Sequence, residues 1–143
     1  MKGDDRLIYK IMMAQQKLRA SINHTLQSKG VEVTLVQAGI LFLLRREDGQ
    51  TMSDLSNALA VKNPTLTGLV DRLERSAFVT RKASQNDRRS IRIYMTSKGM
   101  EECNKAIPVI KGANEEIRAG FSQEEIEVFK RVLNSIFRKF NQS

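Results

Sequence analysis

The sequence has a single Cys, a single His and two Pro in 143 residues. One Cys excludes an intrachain disulfide and points to a reducing compartment. One Cys and one His are too few for a zinc site built from those residues. The longest apolar run, Ile40 to Leu44, is far short of the roughly 20 residues that span a bilayer. The first residues, MKGDDRLIYK, lack the apolar core of a secretory signal. No membrane association is expected, and the cytoplasm is the expected compartment. No phosphate-binding glycine loop, nucleophile–base pair or metal cluster is visible, so neither an enzymatic activity nor a cofactor is expected. There is no repeat, low-complexity tract or linker, so residues 1–143 read as one domain.

Positive charge is abundant. Lys and Arg number 24 against 16 Asp and Glu, a net of +8. The stretch from Lys62 to Lys98 has nine Lys and Arg against three Asp and Glu, so it holds +6 of that excess. Such a concentration favours a polyanionic partner.

Hydrophobic periodicity predicts a mainly α (α+β) chain. A first helix runs from Asp4 to about Lys29, and Gly30 ends it. Thr34 and Gln37 form a capping box for a helix over Leu35 to Arg46. That helix is apolar nearly all round, so it belongs at the centre of the core. Ser53 is the expected cap of a short helix over Asp54 to Leu59. Asn63 is the expected cap of the next helix, with Pro64 at its first position. Leu66, Leu69, Val70 and Leu73 give this helix a buried face, and Thr65, Gly68, Arg72 and Arg75 an outer one. Two helices joined by the short turn Ala60 to Lys62 form a helix-turn-helix pattern, without its usual glycine.

Phe78 to Thr80 reads as a strand, Ala83 to Arg89 as a polar turn, and Ser90 to Met95 as a half-buried strand with Ile91, Ile93 and Met95 inward. The pair makes a hairpin with Asn86 to Arg89 at its tip. Thr96 caps a long helix that Pro108 should kink without splitting. Gly120 stops it. Ser122 and Glu125 box the last helix, whose apolar stripe runs from Ile126 through Phe129, Val132, Leu133, Ile136 and Phe137 to Phe140. The first and last helices carry more apolar surface than a small domain covers, which predicts a twofold dimer.

The run LVDRLER at Leu69 to Arg75, then FVTR, then NDRRSIRIYMTSKG, resembles the MarR family of winged-helix transcriptional regulators. The flanking helices extend the resemblance over nearly the whole chain. It implies a winged helix-turn-helix with long N- and C-terminal dimerisation helices, at 4–29 and 96–140, around a DNA-binding part at 34–95. It implies a homodimer on double-stranded DNA, with recognition helices in adjacent major grooves and wings reaching toward the minor groove. The expected role is sequence-specific regulation of transcription, with repression as the expected mode. A phenolic or carboxylate effector is implied by the family alone.

The expected DNA-binding residues are Lys62, Asn63, Thr65, Thr67, Gly68, Arg72 and Arg75 on the helix, and Asp87, Arg88 and Arg89 on the wing. Thr can bond base edges or meet a thymine methyl, Arg can grip guanine or phosphate, and Asp87 can orient an arginine. The alternative is a winged helix that binds protein, or DNA without sequence choice. One departure from the family pattern is Ala77, where glycine usually ends the recognition helix. Cys103 falls on an apolar stripe, where a free thiol acts as a small hydrophobe. His24 reads as a helix-surface residue.

Overall fold

The computed structural model describes residues 6–84, 86 and 90–141. Among the described residues, six helices and three short strands follow in the order α1 (Leu7–Ser28), α2 (Leu35–Arg46), β1 (Gln50–Thr51), α3 (Met52–Leu59), α4 (Asn63–Arg75), β2 (Val79–Ala83), β3 (Ile91–Met95), α5 (Ser97–Arg118) and α6 (Gln123–Lys139). The chain falls into two compact units, Met1–Val109 and Ile110–Ser143. Among the described residues, no helix is long and apolar enough to cross a membrane.

In the first unit the core gathers Leu26 of α1, Ala38, Ile40, Leu41 and Leu44 of α2, Leu55 of α3, Leu66, Val70 and Leu73 of α4, and Phe78, Val79 and Ile93 in and beside the sheet. Helix α2 is central, as its composition predicts, but it buries one broad face. Phe42 and Leu43 are half-buried, and Arg45 and Arg46 are exposed. The Thr34–Gln37 capping box is present. Gly30 has φ +76° and closes α1 with a paired turn, in which Gly30 N–H donates to the Gln27 carbonyl and Val31 N–H to the Leu26 carbonyl.

The sheet is antiparallel in the order β1-β3-β2. The predicted hairpin is there, with Val79 opposite Met95 and Ala83 opposite Ile91. Its first strand runs further than Phe78 to Thr80, taking in Arg81 to Ala83. Ile91 is not buried; it is 47% exposed, and only Ile93 of the alternating set is fully covered. Strand β1 is absent from the sequence reading, because two residues form a strand only through their partner: Gln50 pairs with Ile93 and Thr51 with Arg92.

Two predicted caps move. Thr51, not Ser53, caps α3, and its hydroxyl accepts from Asp54 N–H while Asp54 Oδ2 accepts from Thr51 N–H. Those bonds, the Thr51 backbone one first, hold the Asp54 carboxyl below its ordinary range. Lys62, not Asn63, is the cap of α4, and no side chain caps it. Helix α5 passes through Pro108 as one helix.

In the second unit, Gly120 has φ +87° after α5, and the Ser122–Glu125 box starts α6. Helix α6 has no buried residue, and Val128, Phe129, Val132 and Phe137 are exposed along it, with Phe140 exposed at its end.

Candidate nucleic-acid interface

Helix α3 and helix α4 meet at the turn Ala60 to Lys62. Ala60 takes the left-handed conformation, φ 54°, that glycine would adopt without strain. The turn is tied internally: Val61 N–H donates to the Ser56 carbonyl, and Ser56 Oγ donates to the Val61 carbonyl at 2.6 Å. Leu55 and Leu66, one from each helix, are both fully buried. The helix-turn-helix is therefore formed without its glycine, at a cost on the order of 1 kcal/mol.

Burying Leu66, Val70 and Leu73 turns the opposite face of α4 outward. Thr65, Arg72 and Arg75 are exposed on it, and Gly68 lies between them half-buried. These four fall at positions i, i+3, i+7 and i+10, which is one face of a helix. Lys62 and Asn63 are exposed at its start. Thr67 is exposed too, but it belongs to the flank shared with Glu74, and its hydroxyl donates to the Asn63 carbonyl at 2.8 Å. Nothing lies within 4 Å of a Cβ added at Gly68. The fold therefore gives no internal reason for a glycine in mid-helix, where it costs about 1 kcal/mol against alanine. An open backbone there suits close approach of an external surface.

The far end of α4 is closed by a left-handed Ala77, φ 64°. Ala77 N–H donates to the Glu74 carbonyl and Phe78 N–H to the Leu73 carbonyl, the same paired turn that closes α1. The missing glycine leaves this turn intact. The start of α5 then satisfies the carbonyls beyond it. Thr96 Oγ1 donates to Ala77 O at 2.6 Å, Lys98 Nζ to Ser76 O at 2.9 Å, and Thr96 N–H to Phe78 O at 3.0 Å.

The hairpin leaves this joint as a wing. Asp87, Arg88 and Arg89, predicted at its tip, lie outside the described residues. Several of the other cations in this stretch have internal tasks. Arg92 Nη1 donates to the Gly49 carbonyl at 2.8 Å. Lys82 sits over the Tyr94 ring, 5.4 Å from its centre. Arg81 forks onto two carboxylates of α4, Asp71 at 2.6 Å and Glu74 at 2.7 Å. Sequence reasoning treats Arg81 only as charge. The signal is its place on the same strand face as Val79, which turns a guanidinium toward α4 and its two acids. Away from this surface, Cys103 is fully buried, and burial pushes its thiol up, so it is not a thiolate at neutral pH. His24 is exposed on α1, as predicted.

A short helix–turn–helix whose second helix turns a polar face outward, a three-stranded sheet with its hairpin wing, and long flanking helices define a winged helix-turn-helix fold. The model of the MarR family matches residues 33–91. The transcriptional repressor MprA of Escherichia coli (strain K12) is 26% identical over 131 residues, which is 92% of this chain and 74% of MprA. The fold is also that of S. aureus MepR in its DNA complex, with a TM-score of 0.87, 22% identity and coverage of 96% of this chain and 100% of that one. Bordetella bronchiseptica BpsR, whose DNA binding is regulated by 6-hydroxynicotinic acid, matches with a TM-score of 0.84, 19% identity and coverage of 92% and 93%. The chain is thus similar to MarR-family regulators over residues 33–91 and shares the fold of these solved structures.

Proposed function

We propose that the protein is a cytoplasmic, sequence-specific repressor that acts by binding and not by catalysis, as a homodimer on double-stranded DNA. The observation that carries this reading is the outer face of α4. Thr65, Gly68, Arg72 and Arg75 combine hydroxyl, open backbone and guanidinium on one helix that the fold turns outward. Thr65 and Gly68 meet base edges, while Lys62, Asn63, Thr67, Arg72 and Arg75 frame the contact and hold phosphates. Arg88 and Arg89, with Asp87 orienting them, reach the minor groove.

The test is a salt titration of operator and random DNA binding. Arg89→Ala is expected to weaken binding to both and to flatten the salt slope by about 0.9 for each phosphate no longer neutralised, twice over in a dimer. Thr65→Ala is expected to lower discrimination between the two DNAs with the slope nearly unchanged. If Arg89→Ala leaves affinity and slope alone, the wing is no DNA element. Gly68→Ala should move stability and binding in opposite directions. The helix gains about 1 kcal/mol, while the added methyl crowds the groove and lowers operator affinity roughly tenfold. A variant both more stable and equally tight would remove Gly68 from the contact.

Dimerisation is supported by the exposed apolar residues of α1 (Leu7, Ile8, Tyr9, Met12, Met13) and of the α6 segment (Phe129, Val132, Phe137, Phe140). Sedimentation at micromolar concentration should give twice the chain mass of 16.2 kDa; a stable monomer refutes it. A phenolic or carboxylate effector is supported by a cleft of about 480 Å³ lined by Asn23, Gln27, Gly30, Val31, Glu32, Val33 and Thr34. Repeating the titration with 6-hydroxynicotinic acid and with a chlorophenol reads whether either releases DNA.

A further inference from the structure

We propose that Arg81 is a positioning residue that sets the pitch of the wing against the recognition helix, and so makes DNA binding depend on a charge clamp that does not itself touch DNA. The inference rests on the wing reading above. Arg81 stands at the middle of β2, opposite Ile93. Its two terminal nitrogens bind different residues of α4: Nη2 donates to Asp71 Oδ1 at 2.6 Å and Nη1 to Glu74 Oε1 at 2.7 Å. Asp71 and Glu74 are three apart, so they stand on adjacent turns of one helix face. A planar guanidinium bridging two turns fixes both the distance and the rotation of the strand relative to the helix, which a single bond does not.

Stability alone does not account for the clamp. The Arg81, Asp71 and Glu74 side chains keep 23%, 47% and 42% of their exposure, and ion pairs that wet contribute little to folding. Geometry accounts for it better. Beyond Arg81 the hairpin continues through Lys82 and Ala83 to Ser84, roughly 10 Å further out. Arg81 is the last β2 side chain with a described bond to α4, so a small rotation there becomes a larger displacement toward the tip.

The clamp also makes a prediction opposite in sign to simple electrostatics. Neutralising Asp71 and Glu74 raises the net charge by two per chain, which on attraction to a polyanion should tighten DNA binding. If the clamp positions the wing, Asp71→Asn with Glu74→Gln should instead weaken operator binding, by roughly tenfold, and lower the salt slope toward that of Arg89→Ala. In an Arg89→Ala background the same pair should change affinity less than about twofold, because the group it positions is already gone. Arg81→Lys, which keeps the charge but not the fork, should fall between the pair variant and the native protein. Melting curves run on each variant establish that the dimer is folded.

Unchanged or tighter binding by the Asp71→Asn/Glu74→Gln variant overturns the proposal. So does a loss that persists in full in the Arg89→Ala background. Arg89→Ala alone reports on the wing reading itself: if it is silent, that reading fails, and the clamp's role in DNA binding falls with it. If Arg89→Ala weakens binding and the pair variant does not, only the clamp fails.

Discussion

Gly99→Ala is expected to lower the melting temperature by roughly 10 °C and to abolish operator binding near that temperature. Gly99 is in the first turn of α5 and is buried. A Cβ there would overlap the Phe78 carbonyl oxygen and come within 3.0 Å of the Phe78 carbonyl carbon and 2.9 Å of Met95 Cγ. The obstacle is backbone, so rotamer changes cannot relieve it. The helix start has to move away from the turn that ends α4. That displacement also pulls on the bonds from Thr96 and Lys98 to Phe78, Ala77 and Ser76. Overpacking of this kind costs about 3 kcal/mol, at the upper end of the usual range. Gly112, in the same helix, is the control. Nothing lies within 4 Å of its added Cβ, so Gly112→Ala should stabilise by about 1 kcal/mol. Thermal melts of both variants at one protein concentration decide it, since dimerisation makes the midpoint concentration-dependent. Equal responses would mean that the α4–α5 joint is not as tight as the geometry describes.

The parts of this fold that are legible in the sequence are those determined by neighbouring residues. Thr34 with Gln37 and Ser122 with Glu125 are capping boxes because each pair is three residues apart along the chain. Gly30 and Gly120 end helices because their backbone needs φ above zero. The outer face of α4 follows from the inner one. Where two local signals compete, the weaker-looking one can win. Thr51 and Asp54 complete a box that Ser53 does not, so Thr51 takes the cap. Asn63 has the better capping side chain, yet the helix begins one residue earlier, with Lys62 as its cap.

What is not legible depends on partners far along the chain. The strand Gln50–Thr51 exists because Ile93 and Arg92 are beside it. Ile91 fits a buried alternation, yet it stays exposed. The net charge of +6 between Lys62 and Lys98 is correct as arithmetic. It overstates how many cations are free to contact DNA directly, because Arg81, Arg92 and Lys98 bond within the fold. Asp87, Arg88 and Arg89 stay as the sequence and the family resemblance leave them, at the wing tip and proposed for the minor groove.

Glu102 is the residue whose role is least visible in the sequence, and Glu102→Leu is expected to cost about 3 kcal/mol. Its neighbours in α5, Cys103 and Ala106, are buried with it, so it occupies a core position with a carboxylate. It is 3% exposed. Oε2 accepts from Glu32 N–H at 2.6 Å and from Val33 N–H at 3.1 Å, while Oε1 stands 3.8 Å from Lys105 Nζ. One side chain thus ties the connection between α1 and α2 to α5, across 70 residues of sequence. Leucine fills the space but leaves two backbone donors, one of them buried, with no acceptor, each worth about 1–3 kcal/mol. Glutamine keeps an amide oxygen for those donors and loses only the charge, so Glu102→Gln should cost less than half as much. Urea denaturation gives the totals. Hydrogen exchange at the Glu32 and Val33 amides gives the local effect, which should be faster in the leucine variant and near native in the glutamine one. If the leucine variant keeps native stability and those amides stay protected, the carboxylate is not what holds the connection. Glu32 and Val33 also line the cleft proposed for the effector. The same bonds therefore join the wall of that cleft to the helix whose first turn holds the recognition helix, and loosening them should blunt an effector's hold on DNA release while leaving Thr65, Arg72 and Arg75 in place on α4.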